Sequence, residues 1–486
     1  MKRYCILFII LSCTLIASCS KDKGNYDLNP INEIKITDKQ PENIQIFQFE
    51  TLKINPIIEQ TREVDENKLI YSWSTYLTAN PPTAFALGST KNLDARIEVK
   101  PGKYTILFTV KDPQTGVSFF KEYKMEVSTR LGEGWLALED MPNGKQEISM
   151  INVAEEVMHN LYGNANTGQT LPDNSYVIKV LNTAYGLQNV FILGNKNAVE
   201  VDYISMKKFD EFKSWFYTPP ATFNIQNYFY GTLGASGFII NNDELYSLSF
   251  LNANDRLKFG APIKGDWKIS DFAFPHTYSD YTLLYDTKNQ RFLRHLSSAI
   301  TTLSNPAGSA FDPNNVGKQL VFGGPGSGSF YNCLMKNNND DQFAVYRINA
   351  AYNASVIAAE KYDVENAPGL KNAKLFASSG LYMHIYYAVN NEIYLLDIPA
   401  KKSKLVYAFP AGVEITSIKI KQSINLIVSY PDNNRQFVAA TYQAGEGKIY
   451  KFAISNTGDF TGNTFFKEYH GFNRVKNLEY KNGSAY

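Results

Sequence analysis

The chain has 486 residues, 44% of them apolar, enough for two or three folded domains once a leader is set aside. Lys plus Arg (48) nearly cancels Asp plus Glu (47), so no large single-sign field or polybasic run is present to recruit nucleic acid. Of four cysteines, Cys5, Cys13 and Cys19 crowd the N-terminus and leave Cys333 alone, which excludes a disulfide framework and puts the burden of stability on a large core.

In chain order, Lys2 and Arg3 form a short positive segment, Cys5 to Leu15 (CILFIILSCTL) is almost wholly apolar, and small Ala17 and Ser18 stand directly before Cys19. That order is a bacterial secretory signal over residues 1–18. Its apolar stretch is short of the roughly 20 residues that span a bilayer core. The stretch LIASC (Leu15 to Cys19) resembles the lipobox of bacterial lipoproteins. The resemblance implies that Cys19 is the lipid-attachment residue, acylated by several chains and therefore firmly membrane-anchored. Residues 19–30, polar and carrying Gly24 and Pro30, read as a tether.

Residues 31–129 carry short alternating segments: Ile31 to Ile36, Thr51 to Ile58, Leu69 to Tyr76, Ala95 to Val99, Tyr104 to Val110 and Ser118 to Val127. Strands this short, separated by frequent turn signals, predict an antiparallel immunoglobulin-like β-sandwich with Trp73 as its buried aromatic. The segments YSWS (Tyr71 to Ser74) and PGKYTILFTVKD (Pro101 to Asp112) resemble the strands of polycystic-kidney-disease (PKD) type domains, without the Gly-Asp-Gly turn usual after the Trp strand.

Residues 130–486 open on GWLALED (Gly134 to Asp140) and sustain no helical period. One regular strand recurs at Ile148, Val199, Leu245, Phe292, Phe343, Ile393 and Ile449, at intervals of 51, 46, 47, 51, 50 and 56 residues. Several of these follow an upstream partner strand, as in Asn189 to Asn195, Ser236 to Asn242, Tyr281 to Thr287, His384 to Asn390 and Asn425 to Pro431. A period of about 40 to 50 residues with about four strands per unit predicts a β-propeller of about seven blades, six or eight being the alternatives. The fold class expected is thus all-β, a PKD/immunoglobulin-like sandwich followed by a propeller.

Chemistry-bearing patterns are sparse. The five histidines (159, 276, 295, 384, 470) show no metal-ligand spacing, so no metal or other cofactor is expected. The Gly-rich GGPGSGS (Gly323 to Ser329) lacks the Lys-Ser/Thr of a phosphate loop and reads as a turn, and no Gly-x-Ser-x-Gly elbow occurs, so no catalytic residue is assigned. The turn NNNDD (Asn337 to Asp341) is acidic without an EF-hand pattern. Aromatic clustering is the remaining signal. The segment Lys213 to Tyr230 offers Trp215, Tyr217, Tyr228 and Tyr230, and Phe272 to Tyr281 offers His276 and Tyr278. These are candidate ligand-binding residues if their rings stand at a rim, and inter-blade packing residues otherwise.

Lipobox, KGNYD (Lys23 to Asp27), PKD-like domain, GWLALED and FDPNNVGKQL (Phe311 to Leu320) together resemble the PKD-like family lipoproteins of Bacteroidota. The resemblance implies a non-enzymatic outer-membrane lipoprotein facing the cell exterior. It would be an accessory component of a SusC/SusD-type uptake complex for glycans or peptides, with a TonB-dependent transporter and a SusD-like lipoprotein as partners. A propeller hydrolase or lyase acting on a glycan, and a purely structural transporter-docking protein, are the other readings.

Overall fold

The computed structural model describes residues 31–486, except 42, 63–64, 80–82, 183–187, 232–235, 250–257, 277–280, 352–353, 423–429 and 484–486. Cys19, the leader and the tether lie outside the described residues. The chain divides into two compact units at Ser128 and Thr129. No helix among the described residues is long and apolar enough to cross a membrane.

The first unit is built by period-two alternation. In Asn43–Phe47 and Thr51–Ile54 every second side chain is buried, which sends Ile44, Ile46, Leu52 and Ile54 into one core. A five-stranded sheet runs Asn43–Phe47, Ser118–Ser128, Gly102–Lys111, Ile70–Leu77, Phe85–Gly88, and two strand pairs, Ile34–Thr37 with Ile57–Gln60 and Thr51–Ile54 with Leu93–Arg96, contribute to the same core. Trp73 is 1% exposed, stacks on Phe108 at 4.0 Å and donates its indole N–H to the Thr90 carbonyl at 2.9 Å. The sandwich departs from the antiparallel expectation in one place: Asn43–Phe47 pairs in parallel with Ser118–Ser128. That strand and Phe85–Gly88 are short edge strands, and the alternating segments of the sequence do not include them, although Asn43–Phe47 alternates once paired.

The second unit is a series of sheets taken in chain order. Among the described residues there are seven, and all their pairings are antiparallel. Sheets two to seven each begin on an inner strand: Ser175–Asn182, Ile225–Tyr230, Ile269–Pro275, Gln319–Pro325, Leu375–Ser378 and Glu414–Ile420. The first sheet differs. Its strands Val157–Met158, Gln146–Asn152 and Gly134–Asp140 are completed by Arg474–Lys481, the last strand of the chain. Gly134, at φ +150°, begins this sheet where a Cβ would collide with the Ile151 carbonyl, so only glycine fits.

Each inner strand touches the next in order, Glu414–Ile420 touches Arg474–Lys481, and Arg474–Lys481 touches Ser175–Asn182. Apolar cores lie between consecutive sheets. Leu136, Ile148, Ile178 and Ile192 join the first to the second, Ala377, Tyr386, Ile418 and Phe437 join the sixth to the seventh, and Trp135, Ile151, Val438 and Ile449 join the seventh back to the first. Strands with a core on both faces lose alternation, and Gln146–Asn152 and Ser236–Asn241 are buried at every position. The hairpin turns carry the residues their geometry demands: Asn242 and Asp243 both hold positive φ (54° and 60°) between Ser236–Asn241 and Glu244–Ser249.

Counting the inner strand as the first, the recurring strand of the sequence is the third strand in all seven sheets, followed by a fourth in every sheet but the third, where three strands are described. Its predicted partner Asn425 to Pro431 lies largely outside the described residues, and the second strand of the seventh sheet is Gln436–Gln443.

Candidate functional site

The described aromatic candidates do not form one site. Trp215 closes a short helical turn, Phe212–Trp215, and its ring meets Phe191 edge-on at 5.1 Å, while Tyr228 stacks on the same Phe191 at 4.2 Å. Both are buried in the core between the second and third sheets (5% and 3% exposed), so they pack sheets together and present no face to a ligand. Tyr230, on an inner strand, ties that strand to its neighbour: its hydroxyl donates to the Val180 carbonyl at 2.8 Å and accepts from the Asn182 N–H at 3.1 Å. Among the described candidates Tyr217 alone is open, 69% exposed. His276 sits at the end of Ile269–Pro275, its backbone N–H bonded to the Tyr281 carbonyl at 2.9 Å, and burial pulls its imidazole below the ordinary range. Tyr278 lies outside the described residues.

The other sequence signals resolve into structure. The Gly-rich turn is pinned by Arg347, which donates to the Ser327 carbonyl at 3.0 Å, to Asn332 Oδ1 at 3.1 Å and to Glu360 at 2.5 Å, and lies over the Phe330 ring. In the acidic turn, Asp341 pairs with Lys336 at 2.9 Å and Lys371 at 3.5 Å. Among the described residues no group of three His, Cys, Asp or Glu side chains is placed to hold a metal. Cys333 is fully buried, and burial pushes its thiol well above the ordinary range.

The chemistry gathers instead on the inner strands, in lysines set among apolar neighbours. Lys419, on Glu414–Ile420, pairs with Glu479, on Arg474–Lys481, at 2.6 Å. Lys179, on the adjacent Ser175–Asn182, is partly buried and feels both groups. Burial first, and then the Lys419 charge, pull its ammonium down to about 8, with Glu479 opposing. Three charged side chains from three neighbouring inner strands therefore converge. Hydrogen bonds keep these strands in step: the Ile178 N–H donates to Asn477 Oδ1 at 2.9 Å, and Tyr176 reaches the Ile225 and Gln226 carbonyls at 2.8 Å.

Three other inner strands carry aromatic side chains instead. Phe272, Phe322 and Phe376, on the inner strands of the fourth, fifth and sixth sheets, are each partly buried. Phe322 meets Phe272 edge-on at 6.0 Å and stacks on Phe376 at 5.5 Å. Between the two parts stands Asn227, whose side-chain N–H donates to the Asp271 carbonyl at 2.6 Å while its buried Oδ1 accepts nothing.

A second charged group lies where the seventh and first sheets meet. Lys421 binds Asp432 at 2.8 and 2.9 Å and faces the Tyr480 ring at 4.1 Å, and Lys451 binds Glu155 at 3.1 Å. Lys481, fully buried, donates to the Leu131 carbonyl and lies 4.3 Å from the Tyr203 ring centre. Burial brings its ammonium down to about 7. These lysines could be suspected from sequence, since Val177-Ile178-Lys179-Val180 and Ile418-Lys419-Ile420-Lys421 place a cation inside otherwise apolar strands. What the sequence does not give is which strands are neighbours.

Residues 19–174 match the profile of the PKD-like family, covering the described first unit and the first strands of the second. No curated protein matches the chain. Similar solved structures include a quinonprotein alcohol dehydrogenase-like protein of Bacteroides thetaiotaomicron, 11% identical over 91% of this chain and 97% of its own, with a TM-score of 0.38. Apo AztD of Citrobacter koseri is 8% identical over 73% of this chain and 100% of its own (TM-score 0.39). The WD40 domain of SCAP from fission yeast is 10% identical over 62% and 74% (TM-score 0.35). The likeness is weak in every case.

Proposed function

We propose that the seven sheets are the blades of a closed β-propeller, and that the chain is a lipid-anchored recognition module of the outer membrane rather than a catalyst. The observation that carries the first part is the return of the last strand, Arg474–Lys481, to the sheet begun by Gly134–Asp140, with a shared core joining the seventh sheet to the first. A ring closed by its own terminus leaves few free edges on sheets that would otherwise template aggregation. Anchoring rests on the lipobox before Cys19, the residue at which the family match begins. In this reading the protein faces the cell exterior as an accessory of a SusC/SusD-type system importing glycans or peptides, and contacts the transporter or its ligand through propeller loops.

The test is affinity isolation of the tagged native chain from detergent-solubilised outer membranes, with mass spectrometry of co-purified proteins. Recovery of a TonB-dependent transporter with a SusD-like lipoprotein is the expected result. A protein recovered alone that hydrolyses a glycan would replace this reading with an enzymatic one. Cys19→Ala should abolish acylation and membrane partitioning, and unchanged partitioning would overturn the anchor.

A further inference from the structure

The ring of inner strands has two unlike arcs in one layer. Lys419, Glu479 and Lys179 occupy three consecutive strands, and Phe272, Phe322 and Phe376 occupy three others. Contacts between neighbouring strands fix this layer on both sides. Ser378 Oγ donates to the Pro325 carbonyl at 2.8 Å and Gln422 to the Ser378 carbonyl at 3.2 Å, which sets Phe322, Phe376 and Lys419 near one level. Asn227 bonds the Asp271 carbonyl at 2.6 Å, one residue from Phe272. Asp271 itself is exposed, and its carboxylate is taken by the Gln226 amide at 3.0 Å.

One feature of this layer is incomplete. Lys179 has no hydrogen-bonding or ion-pair partner of its own among the described residues, since Glu479 is bound by Lys419. An ammonium among apolar strands that has no protein partner is free to take an anion. The three convergent charges sum to one net positive charge, which matches a monoanion. The half-open phenylalanine rings opposite offer apolar faces and edges suited to a flat ring.

We propose that the centre of the inner-strand ring is a binding site for a small aromatic monocarboxylate. Its carboxylate would be held by Lys179 and Lys419, and its ring would lie against Phe272, Phe322 and Phe376. The inference rests on the closed-ring reading of the seven sheets, but not on the anchor or the uptake partners.

The probe is 4-hydroxycinnamate, titrated calorimetrically into the full chain in detergent, with 4-hydroxycinnamyl alcohol and glucuronate as controls. One site per chain is expected for the aromatic acid, with no measurable binding of the neutral alcohol. Lys179→Gln should weaken binding at least about tenfold, the value of a charge-assisted hydrogen bond, and Phe322→Leu several-fold, with the far-ultraviolet spectrum unchanged in both. Equal binding to Lys179→Gln, or glucuronate binding as tightly as the aromatic acid, would overturn the proposal.

Photolabelling of the unaltered chain with 4-azidocinnamate needs no variant to fold. Label should fall on peptides containing Phe272, Phe322 or Phe376, and label elsewhere counts against the site. A protein that melts cooperatively but ignores the probe overturns the site and leaves ring closure standing. Label scattered over many sheets in a chain without cooperative melting overturns both.

Discussion

The two units solve the same problem, burying the faces of β-sheets, in opposite ways. In the first, strands such as Asn43–Phe47 alternate strictly, one face to a single core and one to solvent. In the second, Gln146–Asn152 and Ser236–Asn241 are buried throughout because each sheet packs against a neighbour on both sides. The difference teaches that a sandwich depends on its local pattern, whereas a series of sheets depends on every neighbour being present. The last of those neighbours is supplied by the end of the chain.

The sharpest way to break the comparison is to remove residues 474–486, which deletes the inner strand of the first sheet. Cooperative thermal unfolding of the second unit should be lost, while the first unit keeps its near-ultraviolet signal from Trp73. A second unit that still melts cooperatively would mean its sheets are independently stable.

Large-to-small changes come next. Trp73→Ala should cost the first unit about 3 to 5 kcal/mol, and Trp215→Ala should cost the second a similar amount, each read from denaturant titration. Tyr217→Ala, at a 69% exposed position, should change neither. A ligand-binding defect in Trp215→Ala without loss of stability would contradict its packing role.

The units should also differ in pH response. Burial lowers the Lys481 ammonium to about 7 and Lys179 to about 8, below the ordinary lysine range. The unfolded chain therefore binds more protons than the folded one between pH 7 and about 10, and stability of the second unit should rise with pH across that window. Lys481→Met should flatten the rise.

In the first unit, burial raises the Asp38 carboxyl, but bonds from Lys121 at 2.8 Å, Tyr123 at 2.5 Å and the Gln40 N–H at 2.8 Å outweigh it and hold the group below its ordinary range. Its contribution is complete above the ordinary aspartate range and should fade as pH falls through the lowered value. Asp38→Asn should cost about 1 to 3 kcal/mol at neutral pH and remove that acid dependence, as read by denaturant titration at several pH values. The smallest effect belongs to exposed pairs: Lys53→Ala, which breaks a 3.2 Å contact with Asp94, should shift stability of the first unit by less than about 1 kcal/mol.

The sequence by itself determined the elements that depend on local chemistry. Period-two alternation marks the core strands of the first unit, Trp73 is evident as its central aromatic, and the Asn-rich turn at Asn242 and Asp243 declares a hairpin because those residues tolerate positive φ. The recurring strand marks seven sheets because each sheet contains it once, in the same place. Tertiary structure alone decided what depends on neighbours distant in sequence. The short strand Asn43–Phe47 takes a parallel place beside Ser118–Ser128, and Trp215 and Tyr228 lie around Phe191 instead of at a rim. Lys179 meets Lys419 and Glu479 although 240 and 300 residues separate it from them. Local propensity is written in adjacent residues, but a charge cluster or a shared aromatic core exists only once distant strands, such as Arg474–Lys481 and Gly134–Asp140, lie side by side.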